Sequence, residues 1–281
     1  MENNLRFLLN KYGFSFKKAF GQNFLSDQTL LEEIVRSAGI TEKDTVLEIG
    51  CGAGALTTVL AKYAKRVIGY EIDLKLKPLL SDVLSEFDNA EIIFKDVLKE
   101  NLKELENNLG EDYVLVANLP YYITTEIVLL FLEKAKHIKR LVVMVQEEVA
   151  DRFTANVNCT DYGAITVAIN LRGSAQKIIR VPREKFTPIP NVDSAVVRID
   201  IDREKSKRID LVAVRNTVRV CFSSRRKMLA NNLIKAFSLS RESAETAIKN
   251  AGVSLTARAE NLTAQNFVDL TNSLRQIGVN V

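Results

Sequence analysis

Thr45-Val46-Leu47-Glu48-Ile49-Gly50-Cys51-Gly52-Ala53-Gly54-Ala55 is the stretch on which the fold turns. A mostly apolar, β-prone run enters a loop with glycine at every second position, and helix-period sequence follows to about residue 64. A buried strand feeding a glycine turn and then a helix is how a doubly wound α/β sheet begins, with ligands at the carboxyl ends of its strands. The glycines let the chain turn sharply and let a ligand approach the backbone.

The same alternation continues outward. Apolar β-rich runs at 66–72, 91–94, 113–118 and 141–146 predict further buried parallel strands, with helices near 55–64, 74–87, 99–108 and 125–136. Residues 176–181 and 195–201 read as two more strands separated by a proline-containing loop, whereas 161–171 suits either a buried helix or a strand. The charged run Asp202-Arg-Glu-Lys-Ser-Lys-Arg marks a boundary, giving a domain over 1–202, with an N-terminal helical extension, and a small helical domain over 203–281. In the latter, Ser240 and Thr263 are expected helix caps and Gly252 a stop.

Composition narrows the chemistry. The chain of 281 residues holds one histidine, His137, in a charged segment that places it at the surface, so a Ser-His-Asp triad or a histidine-rich metal site is not expected. Cys51, Cys159 and Cys221 are odd in number and far apart, which fits neither a disulfide framework nor zinc and points to a reducing cytoplasm. No run of about 18 apolar residues suggests a membrane span. Residues 205–281 carry 13 Lys/Arg against 5 Asp/Glu, while the rest carries 26 against 30. A basic tail on a mildly acidic body suggests a polyanion-binding module.

Two acids complete the glycine loop. The second strand ends in Gly69-Tyr70-Glu71, where a carboxylate could accept the ribose hydroxyls of an adenosine-containing cofactor, and the third in Lys95-Asp96, where Asp96 could accept from an adenine amine. Gly50, Gly52 and Glu71 serve a dinucleotide and S-adenosylmethionine equally well. The fourth strand decides between them, because it ends in Asn118-Leu119-Pro120-Tyr121. The N6 amine of adenine is a weak nucleophile, its lone pair delocalised into the ring. Two acceptors that grip its hydrogens, the Asn118 side-chain oxygen and the Leu119 carbonyl, would favour a more tetrahedral nitrogen. Pro120 would hold that peptide extended, and Tyr121 offers a ring for the base to stack on.

On these residues the chain resembles the small-subunit ribosomal RNA adenine dimethyltransferases, nearly end to end. Lys17-Lys-Ala-Phe-Gly-Gln-Asn23-Phe-Leu25 resembles the family's amino-terminal signature, and Val181-Pro-Arg-Glu-Lys-Phe186-Thr-Pro188-Ile-Pro190-Asn-Val192-Asp193-Ser194 a second signature loop. Phe222-Ser-Ser-Arg225-Arg226-Lys227 resembles a tail segment. The resemblance implies a Rossmann-like, mostly parallel sheet of the class I methyltransferase kind with a small C-terminal helical domain, and S-adenosylmethionine as cofactor without a metal. It implies cofactor contacts at Asn23, Leu25, Gly50, Gly52, Glu71, Asp96 and Asn118, with catalysis at Asn118 to Tyr121 and Phe186 stacked on a flipped adenine. The substrate would be two adjacent adenines near the 3′ end of small-subunit RNA, on a pre-ribosomal particle, with the enzyme a monomer. Cys51 stands where the family often has proline, and Tyr122 where asparagine is common.

Lys17, Lys18, Arg180, Arg183, Lys185, Arg225, Arg226 and Lys227 are candidate phosphate contacts. Three other readings stay open at this point. One is a large-subunit RNA adenine methyltransferase of the macrolide-resistance type; the second is an assembly factor acting mainly by binding; the third is a DNA adenine methyltransferase.

Overall fold

Nine strands are present in the computed structural model, which describes residues 11–13 and 23–281, with the backbone alone for Tyr121 and Tyr122. Most of the expected N-terminal helical extension, with Lys17 and Lys18, lies outside the described residues. The strands are β1 (Phe24–Leu25), β2 (Thr45–Ile49), β3 (Arg66–Glu71), β4 (Ala90–Phe94), β5 (Tyr113–Asn118), β6 (Ile138–Gln146), β7 (Gly173–Val181), β8 (Phe186–Thr187) and β9 (Ser194–Ile201). Seven of them form one sheet in the order β4-β3-β2-β5-β6-β9-β7. β3 and β5 both pair parallel to β2, and β4 and β6 continue outward in parallel. β9 returns antiparallel beside β6, with Met144 opposite Val196.

That order puts the topological switch at β2. The chain leaves β2 toward β3 and β4 on one side, then crosses back to β5 and β6 on the other, which opens a crevice at the strands' carboxyl ends. All five β2 residues are buried, as expected of a central strand covered on both faces. Helices Gln28–Ser37 and Ala55–Tyr63 pack together with one side of the sheet through Leu31, Ile34, Val59, Leu60, Val116 and Val196. The apolar runs at β2, β3, β5 and β6 form the central strands because most of their side chains are buried, whereas the edge strand β4 is only partly covered.

The chain divides into two compact units. The first comprises the residues to Ala150 together with Gln176–Ile201, the second Asp151–Ala175 together with Asp202–Val281. A contiguous first domain ending at 202 therefore omits an excursion. The segment left open at 161–171 is a helix, Ala164–Arg172, buried through Thr166, Val167, Ile169 and Leu171. Val167 and Leu171 share a core with Val218, Leu233, Ile248 and Phe267 of the C-terminal helices, and the Tyr162 hydroxyl donates to the Leu262 carbonyl at 2.9 Å. Asp151–Ala175 belongs with those helices because its apolar side chains are buried there. Ser240 and Thr263 cap helices Arg241–Asn250 and Ala264–Gln276, and Gly252 adopts φ +67° just past the former.

Gly69, in the middle of β3, is closely packed on its side-chain face. A side-chain carbon added there would collide with the Cys51 sulfur and come within 2.6 Å of Ile92 Cδ1. Gly69→Ala is expected to lower stability by about 1–3 kcal/mol in urea unfolding. Cys51→Ala in the same chain should recover part of that loss, and strict additivity of the two changes would contradict the packing described.

Candidate active site

One crevice gathers the glycine loop and the ends of β3, β4 and β5. Gly50, Gly52, Glu71, Asp96, Asn118, Leu119 and Pro120 all line it, as do Asn23, Leu25 and Phe186 from the first unit's other segments. The expected cofactor contacts, and the expected catalytic residues apart from Tyr121, are thus brought to one place. The Tyr121 ring lies outside the described side chains.

The loop holds its shape through backbone geometry that only glycine tolerates cheaply. Gly50 sits at φ +81°, where an added carbon would meet Leu119 Cδ2 at 2.8 Å, and Gly52 at φ +56°, 2.7 Å from the Phe24 ring. The Glu71 carboxylate ties this loop to the end of β3: Oε2 accepts from the Gly52 N–H at 2.8 Å, and Oε1 from the Ile72 and Asp73 N–H groups, both at 2.8 Å. Three of a carboxylate's roughly four acceptor sites are therefore filled from within. Oε2 keeps one for a ligand hydroxyl, so Glu71 orders the loop as well as facing the pocket. Burial pushes its pKa up, against the pull of those three donors.

Asp96 is also shared. One oxygen caps the short 3₁₀ turn Val97–Lys99 by accepting from Leu98 N–H at 3.1 Å; the other lies 3.6 Å from the Lys99 ammonium. Beyond β5, Pro120 leads into helix Tyr121–Lys134, and its carbonyl accepts from Ile123 N–H and the Thr124 hydroxyl at 3.1 and 3.2 Å. That fixed first turn holds the Asn118-Leu119-Pro120 segment at the crevice edge. Phe186 comes from β8, which pairs with β1 so that Leu25 faces Phe186 and Phe24 faces Thr187. Phe186 is almost wholly buried and lines the crevice.

The basic candidates separate into distinct roles. Lys185 holds Asp27 at 2.5 Å and keeps that carboxyl below the usual carboxylate range, while Asp27 caps helix Gln28–Ser37. Arg180 pairs with Asp193 at 2.8 Å, and Arg183 with Glu184 at 3.0 Å, all at the surface. Arg225 is a structural residue: its guanidinium donates to the Thr160 and Tyr162 carbonyls and lies 5.9 Å from the centre of the Phe222 ring. Arg226 and Lys227 beside it are exposed. His137 is exposed too, 3.5 Å from Asp112.

Comparison with known proteins covers nearly the whole chain. Residues 13–276 match the family model described as ribosomal RNA adenine dimethylase. Ribosomal RNA small subunit methyltransferase A of Bacillus licheniformis is 42% identical over 277 residues, 96% of this chain and 95% of that one. The protein of the same name from Ligilactobacillus salivarius is 40% identical over 98% and 95%. Among solved structures, a dimethyladenosine transferase from Plasmodium falciparum superposes with a TM-score of 0.79 at 26% identity, covering 91% of this chain and 98% of that one. The 23S rRNA methyltransferase ErmE gives 0.68 at 30%, over 90% and 100%.

Glu48 lines the same crevice and is the site residue that pattern reading passes over. It is 1% exposed, and its Oε2 has no hydrogen-bond partner among the described residues. A lone acid inside an otherwise apolar strand was the available signal. Burial pushes its pKa up to about 7, with the nearby Glu71 charge adding and the Thr57 hydroxyl opposing. The folded protein thus holds this proton more tightly than the unfolded chain. The resulting stability is present in full below the ordinary carboxyl value and lost as pH rises through about 7. Glu48→Gln should abolish that slope. In urea unfolding the variant should gain on the unsubstituted protein by on the order of 2–3 kcal/mol between pH 5 and pH 8. A difference that does not change with pH would refute it.

Proposed function

The chain belongs to the ribosomal RNA adenine dimethylase family, and from that premise we propose that it methylates N6 of two adjacent adenines in the 3′-terminal hairpin of small-subunit ribosomal RNA, on a pre-ribosomal particle. The carrying observation is one crevice that presents Glu71 and the glycine loop together with Asn118-Leu119-Pro120, in a chain 42% identical over 96% of its length to a small-subunit methyltransferase. The high identity to proteins named for the small subunit favours that substrate over the large-subunit reading.

The residues present fit S-adenosylmethionine. Gly50 and Gly52 hold the loop in a positive-φ path tight against Leu119 and Phe24 at the crevice wall, Glu71 retains one acceptor site, and Glu48 places a buried oxygen without a partner among the described residues in the same crevice. When bound, the cofactor supplies an electrophilic methyl on a sulfonium. The protein's own groups do the rest. Asn118 Oδ1 and the Leu119 carbonyl hold the two amine hydrogens, orient the nitrogen in line for displacement, and stabilise positive charge as it develops there. No strong base is required, because the N6 proton becomes acidic once the nitrogen is alkylated. Phe186 stacks against the extruded base and keeps it from rotating out of line.

Exposed Arg226 and Lys227 contact phosphate, whereas Arg225 is engaged by the Thr160 and Tyr162 carbonyls.

Asn118→Ala is expected to lower kcat for methyl transfer to small-subunit RNA by about 10²-fold while leaving RNA affinity near normal. Retained turnover would remove Asn118 from the reaction. Arg226→Ala with Lys227→Ala should weaken RNA binding and reduce the log–log salt slope by about 2. Arg225→Ala should instead show as a loss of thermal stability. An unchanged slope in the double variant would exclude those two residues as phosphate contacts.

A further inference from the structure

Loop 188–193 joins the crevice to solvent in a way the reaction itself leaves unexplained. At its start Phe186 is 3% exposed and lines the crevice. Three residues later Ile189 is 61% exposed, and Val192 beyond it is 43% exposed. A single aliphatic side chain at the surface is ordinary. Here two of them share one six-residue loop that also contains Pro188 and Pro190, and the loop is held at both ends. β8 anchors one end through its pairing with β1. Asp193 anchors the other: its carboxylate accepts from Arg180 at 2.8 Å and from the Arg183 N–H at 3.1 Å, and its carbonyl accepts from the Glu147 N–H at 3.1 Å. Arg183 further donates to the Asn191 carbonyl at 3.4 Å. The two prolines restrict the backbone at 188 and 190, so the apolar tip is presented on a stiff support.

A stiff apolar tip beside a pocket that must receive an extruded base has a defined use. Pulling an adenine out of a stack leaves a gap that costs unstacking energy, and nucleic-acid-binding proteins that unstack bases insert apolar side chains into such gaps. Ile189 lies within about 10 Å of Phe186 along the chain, close enough to reach a base step neighbouring the one in the crevice. Arg180 and Arg183 at the loop's base are paired with Asp193 and Glu184, so they brace the loop rather than offer free charge to the RNA. We propose that Ile189, supported by Val192, is the wedge that fills the stack vacated by the target adenine. Its partner is the RNA strand flanking that adenine. The wedge rests on the methyltransferase reading above and names a specificity-determining residue within it.

The test uses the full chain and a small-subunit hairpin RNA carrying 2-aminopurine at the target adenine, whose fluorescence rises on unstacking. The unsubstituted protein should brighten it. Ile189→Ala, an exposed change that leaves the core untouched, should lose most of that rise and lower kcat/KM on the unlabelled hairpin by roughly tenfold, with cofactor affinity in calorimetry unchanged. Ile189→Leu should restore both. On a hairpin loosened by mismatches beside the target, where extrusion is easier, the Ile189→Ala defect should shrink to about twofold. Normal brightening and turnover by Ile189→Ala would overturn the wedge, and so would an equal defect on both RNAs, which marks a merely structural role. Failure of the unsubstituted protein to methylate small-subunit RNA in pre-ribosomal particles as well as in the hairpins would instead overturn the function reading, and the wedge with it.

Discussion

The bond from the Gly52 N–H to Glu71 Oε2 is the constraint on which the site depends. It joins the loop after β2 to the end of the neighbouring strand β3, beside the switch point between β2 and β5. Gly50, Gly52 and Gly54 all adopt positive φ there, and the close approach of Phe24 and Leu119 leaves no room for a side chain at Gly52 or Gly50. Fixing that loop fixes where a cofactor can lie. β5, hydrogen-bonded to β2 on the other side, then determines where Asn118 and Leu119 stand relative to it. The two groups proposed to hold the amine are thus positioned by strand pairing.

Charge in the crevice follows from the same architecture. Glu48 and Glu71 sit on adjacent strands, both buried, and burial raises the pKa of each. Glu71 is stabilised by three backbone donors, whereas Glu48 has an oxygen with no partner among the described residues. Among the described lining groups Glu48, Glu71 and Asp96 stand against Lys95, so acids outnumber bases in the crevice.

Much of this was legible in the residues. The alternation of strands and helices followed from apolar runs that only two-faced burial explains, and Thr45–Ile49, Tyr113–Asn118 and their neighbours form the predicted strands. Residues 161–171 were ambiguous because a helix buried on several sides has no polar face to reveal its period, and the structure makes Ala164–Arg172 such a helix. Its packing with the C-terminal helices depends on contacts distant in sequence, so the discontinuous second unit could not be read from the charged run at 202. Lys185 and Arg225 looked like phosphate contacts because composition shows charge but not partners. Asp27 and the carbonyls of Thr160 and Tyr162 engage them. Glu48 went unread because its role depends on being buried beside Glu71.

The measurement that bears most directly on the chemistry is mass mapping of small-subunit RNA after incubation of pre-ribosomal particles with the purified chain and isotope-labelled S-adenosylmethionine. Label should appear as N6,N6-dimethyladenosine at two neighbouring positions in the 3′-terminal hairpin, and in no large-subunit fragment. Label confined to large-subunit RNA, or carried by an atom other than adenine N6, would contradict the placement of Asn118 and Leu119 around an adenine amine.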